Sequence, residues 1–121
     1  MPVGNVMRDP DLPVVGPDCS VVEMIHTISK GGLGLIVICD GDRIEGIVTD
    51  GDVRRAMERL KGDFFNIRAR DIATPHPKTI GTGEKLIEAE RVMTRNKITS
   101  LLVTDGDGKL AGVIQIYDIK L

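Results

Sequence analysis

Apolar and polar positions alternate along this chain in two different rhythms, and the order of those rhythms occurs twice. Val21, Met24, Ile25 and Ile28 recur at i, i+3, i+4, i+7, the stripe of an amphipathic helix. Ser20 and Glu23 before it fit an S-x-x-E capping box, and Gly31-Gly32 after it fits a helix stop. Leu35–Cys39 is an unbroken apolar run of strand length. "DGD" (40–42) predicts a hairpin turn, and Arg43–Thr49 the return strand. Val53, Ala56, Met57 and Leu60 then mark a second amphipathic helix, expected to start near Asp52. A short extended piece, Pro13–Val15, precedes the first helix.

The same grammar returns 65 positions on. "LIVICDGDRIEGIVT" (35–49) matches "SLLVTDGDGKLAGVIQ" (100–115), with one extra residue in the second turn, and "SVVEMIHTISKGGLG" (20–34) aligns with "KLIEAERVMTRNKIT" (85–99). Lys78–Ile80 is the second extended piece, and even the lead-ins agree loosely, "NVMRD" (5–9) with "DIATP" (71–75). The chain is read as α/β, two β-α-β-β-α units at 3–60 and 71–121 with a connector at 61–70. Pro75 and Pro77 stiffen the chain beyond the connector, and the last helix is expected to be truncated at Leu121. One unit cannot cover its own sheet, so the expectation is two halves related by a pseudo-twofold, with clefts where they meet.

Composition narrows the partners. The 121 residues suffice for one domain that buries roughly two-thirds of its unfolded surface. Phe64, Phe65 and Tyr117 are the only aromatics, too few for a base-stacking surface on single strands. Net charge is −2 with dispersed basic residues, so no footprint for duplex DNA exists. No apolar run is long enough to span a membrane and no signal peptide is recognisable, so a cytoplasmic protein is expected. Cys19 and Cys39 lack CxxC spacing and fit two thiols, Cys39 as strand packing and Cys19 partly exposed. His26 and His76 have no ligand spacing, and no Ser–His–Asp or Cys–His set suggests catalysis. "DGDGK" (105–109) opens like a calcium loop, but the twelfth position is Ile116, which leaves a hairpin turn.

The chemistry concentrates at Gly46–Arg55, "GIVTDGDVRR". A strand running into a helix leaves N–H groups and a positive dipole end for phosphate. Gly51 admits close approach, Thr49 donates to a phosphate oxygen, Asp52 accepts from vicinal hydroxyls, and Arg54 and Arg55 add charge-assisted bonds. The same residues also suit plain structure: Asp50 and Asp52 as helix caps, Thr49 as a strand end. The second copy, "GVIQIYDIKL" (112–121), keeps Asp118 but has Gln115 for Thr and Tyr117 for the small residue. The first corner is therefore expected to be the better-equipped site.

Doubled at this offset, the pattern resembles a tandem pair of cystathionine-β-synthase (CBS) domains, the Bateman module. The family's ligand motif is Gly, two hydrophobics, Thr or Ser, two variable residues, Asp. Gly46-Ile47-Val48-Thr49-Asp50-Gly51-Asp52 satisfies it, while the second copy departs at Gln115. The resemblance implies adenosine-nucleotide binding through Val48, Thr49, Gly51, Asp52, Arg54 and Arg55, with Gln115 and Asp118 as lesser contributors. "KGGLGLIVICDGDRIEGIVTDGDVRR" (30–55) is similar to the C-terminal CBS pair of arabinose 5-phosphate isomerases, which feed synthesis of Kdo, an acid sugar of Gram-negative envelopes and capsules. In that family an N-terminal sugar-isomerase (SIS) domain does the chemistry, and nothing here resembles it. The resemblance therefore implies a non-catalytic regulatory fragment with no required cofactor. Its candidate ligands are AMP, ATP or CMP-Kdo, its partners an attached SIS domain and a second copy in a homodimer, or a tetramer of the full-length enzyme. The alternative is a purely structural dimerisation module.

Overall fold

A computed structural model of the chain describes residues 1–119. It divides into two compact bodies, Pro13–His76 and Met1–Leu12 together with Pro77 onward.

In the first body a sheet runs in the order β1 (Val14–Val15), β2 (Leu35–Asp40), β3 (Arg43–Thr49), β4 (Thr74–Pro75). β1 and β2 are parallel, so the chain must cross over between them, and α1 (Val21–Gly31) is that crossover. β2 and β3 form the expected hairpin. α2 (Asp50–Leu60), a 3-10 turn (Lys61–Asn66) and α3 (Ala69–Ile72) lead to β4, which runs antiparallel to β3. Val21, Met24 and Ile28 of α1 pack on Ile36 and Ile38 of β2, Val48 of β3, Ala56 of α2 and Phe64. Burying each of the large ones contributes about 1.5–3 kcal/mol. Leu35 and Val37 are buried too, as an unbroken apolar strand implies. Two stripe members fall outside this core: Ile25 is 43% exposed and Met57 50%.

The predicted helix signals hold with one change. Gly32 adopts φ 69° and ends α1, its N–H donating to the Ile28 carbonyl at 3.3 Å. At the start of α1, Ser20 Oγ accepts the Glu23 N–H at 3.3 Å. Glu23 does not close the box: its carboxylate takes the Cys19 thiol at 3.4 Å.

The second body repeats the plan. β5 (Thr79–Gly81), α4 (Leu86–Asn96), β6 (Ser100–Thr104) and β7 (Leu110–Gln115) are followed by a 3-10 turn at Ile116–Asp118. β5 is parallel to β6, and β6 antiparallel to β7. Its core holds Val3, Leu86, Ala89, Met93, Leu101 and Ile114. The expected truncated helix end at Lys120 and Leu121 lies outside the described residues. "DGDGK" is a turn: Asp105 Oδ1 accepts the N–H groups of Asp107 and Lys109 at 2.9 and 3.0 Å.

The lead-ins are exchanged. The lead-in of the second repeat, 71–75, supplies β4 against β3, whereas the lead-in of the first, 5–9, lies on β7 through paired Arg8–Val113 bonds of 2.8 and 2.9 Å. These crossings explain the glycine that opens each corner. A Cβ on Gly46 would lie 2.5 Å from the Thr74 carbonyl oxygen; one on Gly112 would lie 2.6 Å from Met7 Sδ and 2.7 Å from the Arg8 carbonyl oxygen.

Candidate functional site

β3 delivers Thr49 to the start of α2, which begins at Asp50, two residues before the expected point, because Thr49 itself is the N-cap. Thr49 Oγ1 accepts the Asp52 N–H at 3.1 Å, and Asp52 Oδ2 accepts the Thr49 N–H at 2.9 Å, a closed capping box. The Thr49 hydroxyl still has its proton to donate. The Asp50 N–H is tied to the Gly34 carbonyl at 3.0 Å. Of the first three N–H groups of α2, Gly51 alone is outside these bonds.

The predicted residues separate into three groups. Thr49, Gly51, Asp52 and Arg55 come together: Arg55 Nη2 donates to Asp52 Oδ1 at 2.7 Å, and its guanidinium lies against the bare face of Gly51. Arg54 turns elsewhere. It lines a groove of about 230 Å³ with Ile25, Ile28, Asp50, Val53, Met57 and Phe64. Val48 is fully buried in the core behind the corner, with no face to offer a ligand.

Gln115 and Asp118, in the other body, form the corresponding capping box. The Gln115 N–H donates to Asp118 Oδ2 at 2.9 Å, and the Ile116 N–H is tied to the Thr99 carbonyl at 2.9 Å, the counterpart of Asp50 on Gly34. The Gln115 amide donates to Ser100 Oγ on β6 at 2.9 Å. Tyr117, where the first corner has Gly51, is exposed.

Other candidate chemistry recedes. Cys19 is buried rather than partly exposed. Burial pushes its thiol up to about 11, assisted by the bond to Glu23 and that carboxylate's charge, against a smaller opposing pull from Arg68. Burial likewise raises Cys39, with Asp42 and Glu45 adding to it. Neither thiol is primed as a nucleophile. His26 and His76 are exposed, and no group of three metal-ligating side chains exists among the described residues. No described helix is long and apolar enough to cross a membrane. Sequence reasoning missed a second cavity of about 380 Å³ lined by Ile38, Asp40, Glu45, Arg70 and Ala73. Arg70 there is ion-paired to Asp18, a partner 52 positions away that no local pattern announces.

Known proteins share this architecture. The CBS domain family model matches residues 3–59 and 69–120. The chain is 35% identical over 117 residues to arabinose 5-phosphate isomerase KpsF of Escherichia coli O6:H1, covering 96% of this chain and 35% of that protein. It is 37% identical over 110 residues to arabinose 5-phosphate isomerase KdsD of Yersinia pestis, covering 90% and 33%. The chain thus spans about a third of the length of these relatives. Among solved structures, CBSX2 in complex with AMP superposes with a TM-score of 0.83 at 25% identity, over 97% of this chain and 91% of that one. The Pyrobaculum aerophilum CBS domain protein PAE2072 superposes at 0.86 with 22% identity over 98% and 89%, a likeness of fold. With the repeat, the doubled glycine corner and the family model in agreement across nearly its whole length, the chain belongs to the CBS domain family.

Proposed function

We propose that this chain is the regulatory, non-catalytic CBS module of an arabinose 5-phosphate isomerase, acting in the cytoplasm, and that it senses a nucleotide or nucleotide-sugar. Residues 3–60 and 71–121 are its two repeats. The observation that carries the reading is the first corner, where a hydroxyl, a carboxylate, a bare glycine and an exposed guanidinium converge at Thr49, Gly51, Asp52 and Arg55. That set offers a donor to phosphate, an acceptor for sugar hydroxyls and a cation for charge. The relatives' names supply the isomerase, whose SIS domain is the partner to be regulated, and the AMP complex of CBSX2 supports a nucleotide ligand. AMP, ATP and CMP-Kdo are the candidates. To regulate, the ligand must bind two states of the intact enzyme with different affinity. A thermal-shift series with AMP, ATP, CMP and CMP-Kdo tests the reading, and no shift with any of them at millimolar concentration sinks it.

A second reading is a dimerisation module without a ligand. It is favoured by exposed Ile25 on α1 and Met57 on α2, which line the same groove as Arg54, and by exposed Val22 on α1. Light scattering measures the assembly. A Thr49→Ala, Asp52→Ala double variant then separates the readings, since a pure scaffold keeps both assembly and isomerase regulation.

A further inference from the structure

Neighbouring arginines on α2 have different work. Arg54 lies in the groove beside Asp50 and Phe64. Arg55 folds back over the corner. Its Nη2 donates to Asp52 Oδ1 at 2.7 Å, and a Cβ built on Gly51 would sit 3.0 Å from its Nη1. The Arg55 side chain is 70% exposed while that of Asp52 is 20% exposed. The other Asp52 oxygen is committed to the Thr49 N–H as part of the helix cap. The one carboxylate oxygen open to a diol is therefore the one that Arg55 covers, and the open face of Gly51 is where its guanidinium rests. An exposed pair of this kind shifts an equilibrium by no more than about fivefold, so it is readily exchanged for a stronger partner.

We infer that Arg55 is a latch that makes ligand entry depend on phosphate. The inference rests on the nucleotide reading above. In the free protein Arg55 occupies Asp52 Oδ1 and Gly51. When a phosphorylated nucleoside enters, the guanidinium leaves Asp52 for the phosphate, where two parallel charge-assisted bonds can form. Asp52 Oδ1 is then free to accept from a sugar hydroxyl. A bare nucleoside must break the same ion pair and gives the guanidinium nothing in return. The latch thus selects phosphorylated nucleosides against their unphosphorylated counterparts, and it assigns to Arg55 a role that Arg54 cannot share.

Calorimetric titration of the chain with AMP and with adenosine tests this in wild type, Arg55→Ala and Arg59→Ala. Arg59 is an exposed arginine one turn further along α2, so its variant carries the same charge change. Wild type is expected to prefer AMP by about tenfold or more, the scale of a hydrogen bond to a charged group. In Arg55→Ala, AMP should weaken while adenosine tightens by up to about fivefold, because Asp52 no longer has a competitor. Arg59→Ala should keep the wild-type preference. Adenosine tightening is the signature of the latch. If Arg55→Ala leaves adenosine unchanged, or weakens both ligands equally while melting like wild type, the latch is wrong although the nucleotide reading survives. If wild type binds neither compound, the latch fails for adenosine ligands, while the wider nucleotide or nucleotide-sugar reading is decided by the thermal-shift series.

Discussion

The two strand-to-helix corners share a skeleton and differ in what hangs on it. At both, a glycine is pressed against a crossing chain, the first N–H after the strand is tied to a carbonyl just before the hairpin, and an aspartate accepts the N–H of the last strand residue. Those features hold the turn. At the first corner the residual capacity points outward: a threonine proton, a glycine face, an arginine on an aspartate. At the second, the Gln115 amide is drawn sideways to Ser100, Tyr117 fills the small position, and a three-residue 3-10 turn replaces the first turn of an eleven-residue helix. Much of what reads as a ligand motif is thus the structural requirement of the corner. The ligand-specific part is the small remainder that differs between the copies.

The strongest way to break the comparison is to attack the shared skeleton. Gly46→Ala places a methyl carbon 2.5 Å from the Thr74 carbonyl oxygen, which is backbone and cannot step aside alone. It should destabilise the protein by about 2–3 kcal/mol. Gly112→Ala meets the Arg8 carbonyl at 2.7 Å and should cost a similar amount. Gly16→Ala, with nothing within 4 Å, should be near neutral. Denaturant melts of the three decide it. If Gly46→Ala melts like Gly16→Ala, the close crossing of β4 is wrong and the glycine belongs to the ligand instead.

The next test separates the caps. Thr49→Ala removes the hydroxyl that satisfies the Asp52 N–H and should cost about 1 kcal/mol, with Thr49→Ser restoring most of it. Gln115→Ala loses a side-chain bond to Ser100 and should cost about 0.5–1 kcal/mol, without a similar loss of helix signal, since only a 3-10 turn follows. Equal loss of helical circular dichroism in both variants would erase the distinction drawn between the corners.

Much of this was legible in the sequence, for reasons that particular residues show. The long helices follow from period-3.6 stripes, and the hairpin strands from an unbroken apolar run and the turn that ends it. Gly32 and the "DGDGK" turn announce themselves by the backbone they require. The exchanged lead-ins were not legible, because β4 is two residues long and Arg8 makes a single bridge, too short for any periodicity. Ile25 and Met57 belong to their apolar stripes yet stay about half exposed, since a stripe shows which side of a helix faces in, not how far the contact extends. Thr49 and Asp52 were identified from type and spacing. That they bond each other, and that Arg55 rather than Arg54 reaches Asp52, depends on rotamers that residue type does not fix.

The helix ends offer a smaller contrast. Lys61, after α2, adopts φ 50° and ψ −117°, a conformation natural to glycine. Lys97, after α4, adopts φ 55° and ψ 43°, ordinary left-handed geometry that a side chain tolerates better. Lys61→Gly should stabilise by about 1 kcal/mol and Lys97→Gly by less than half of that. Equal gains in melting temperature would contradict the difference in strain.

The smallest expected effect tells the two bodies apart by pH. Both cysteines lie in the Pro13–His76 body. The Cys19 thiol is raised from 9.0 to about 11, so the folded state holds its proton more tightly than the unfolded chain does. The resulting stability is fully present below pH 9 and is lost as pH rises toward 11. Hydrogen exchange measured from pH 8 to 10 should therefore show α1 and β2 loosening ahead of α4 and β6. Cys19→Ala removes the group that carries most of this difference, so its exchange profile should flatten across the same range. If α1 in Cys19→Ala still loosens with pH as steeply as in wild type, the thiol buried against Glu23 is not what ties this body's stability to protonation.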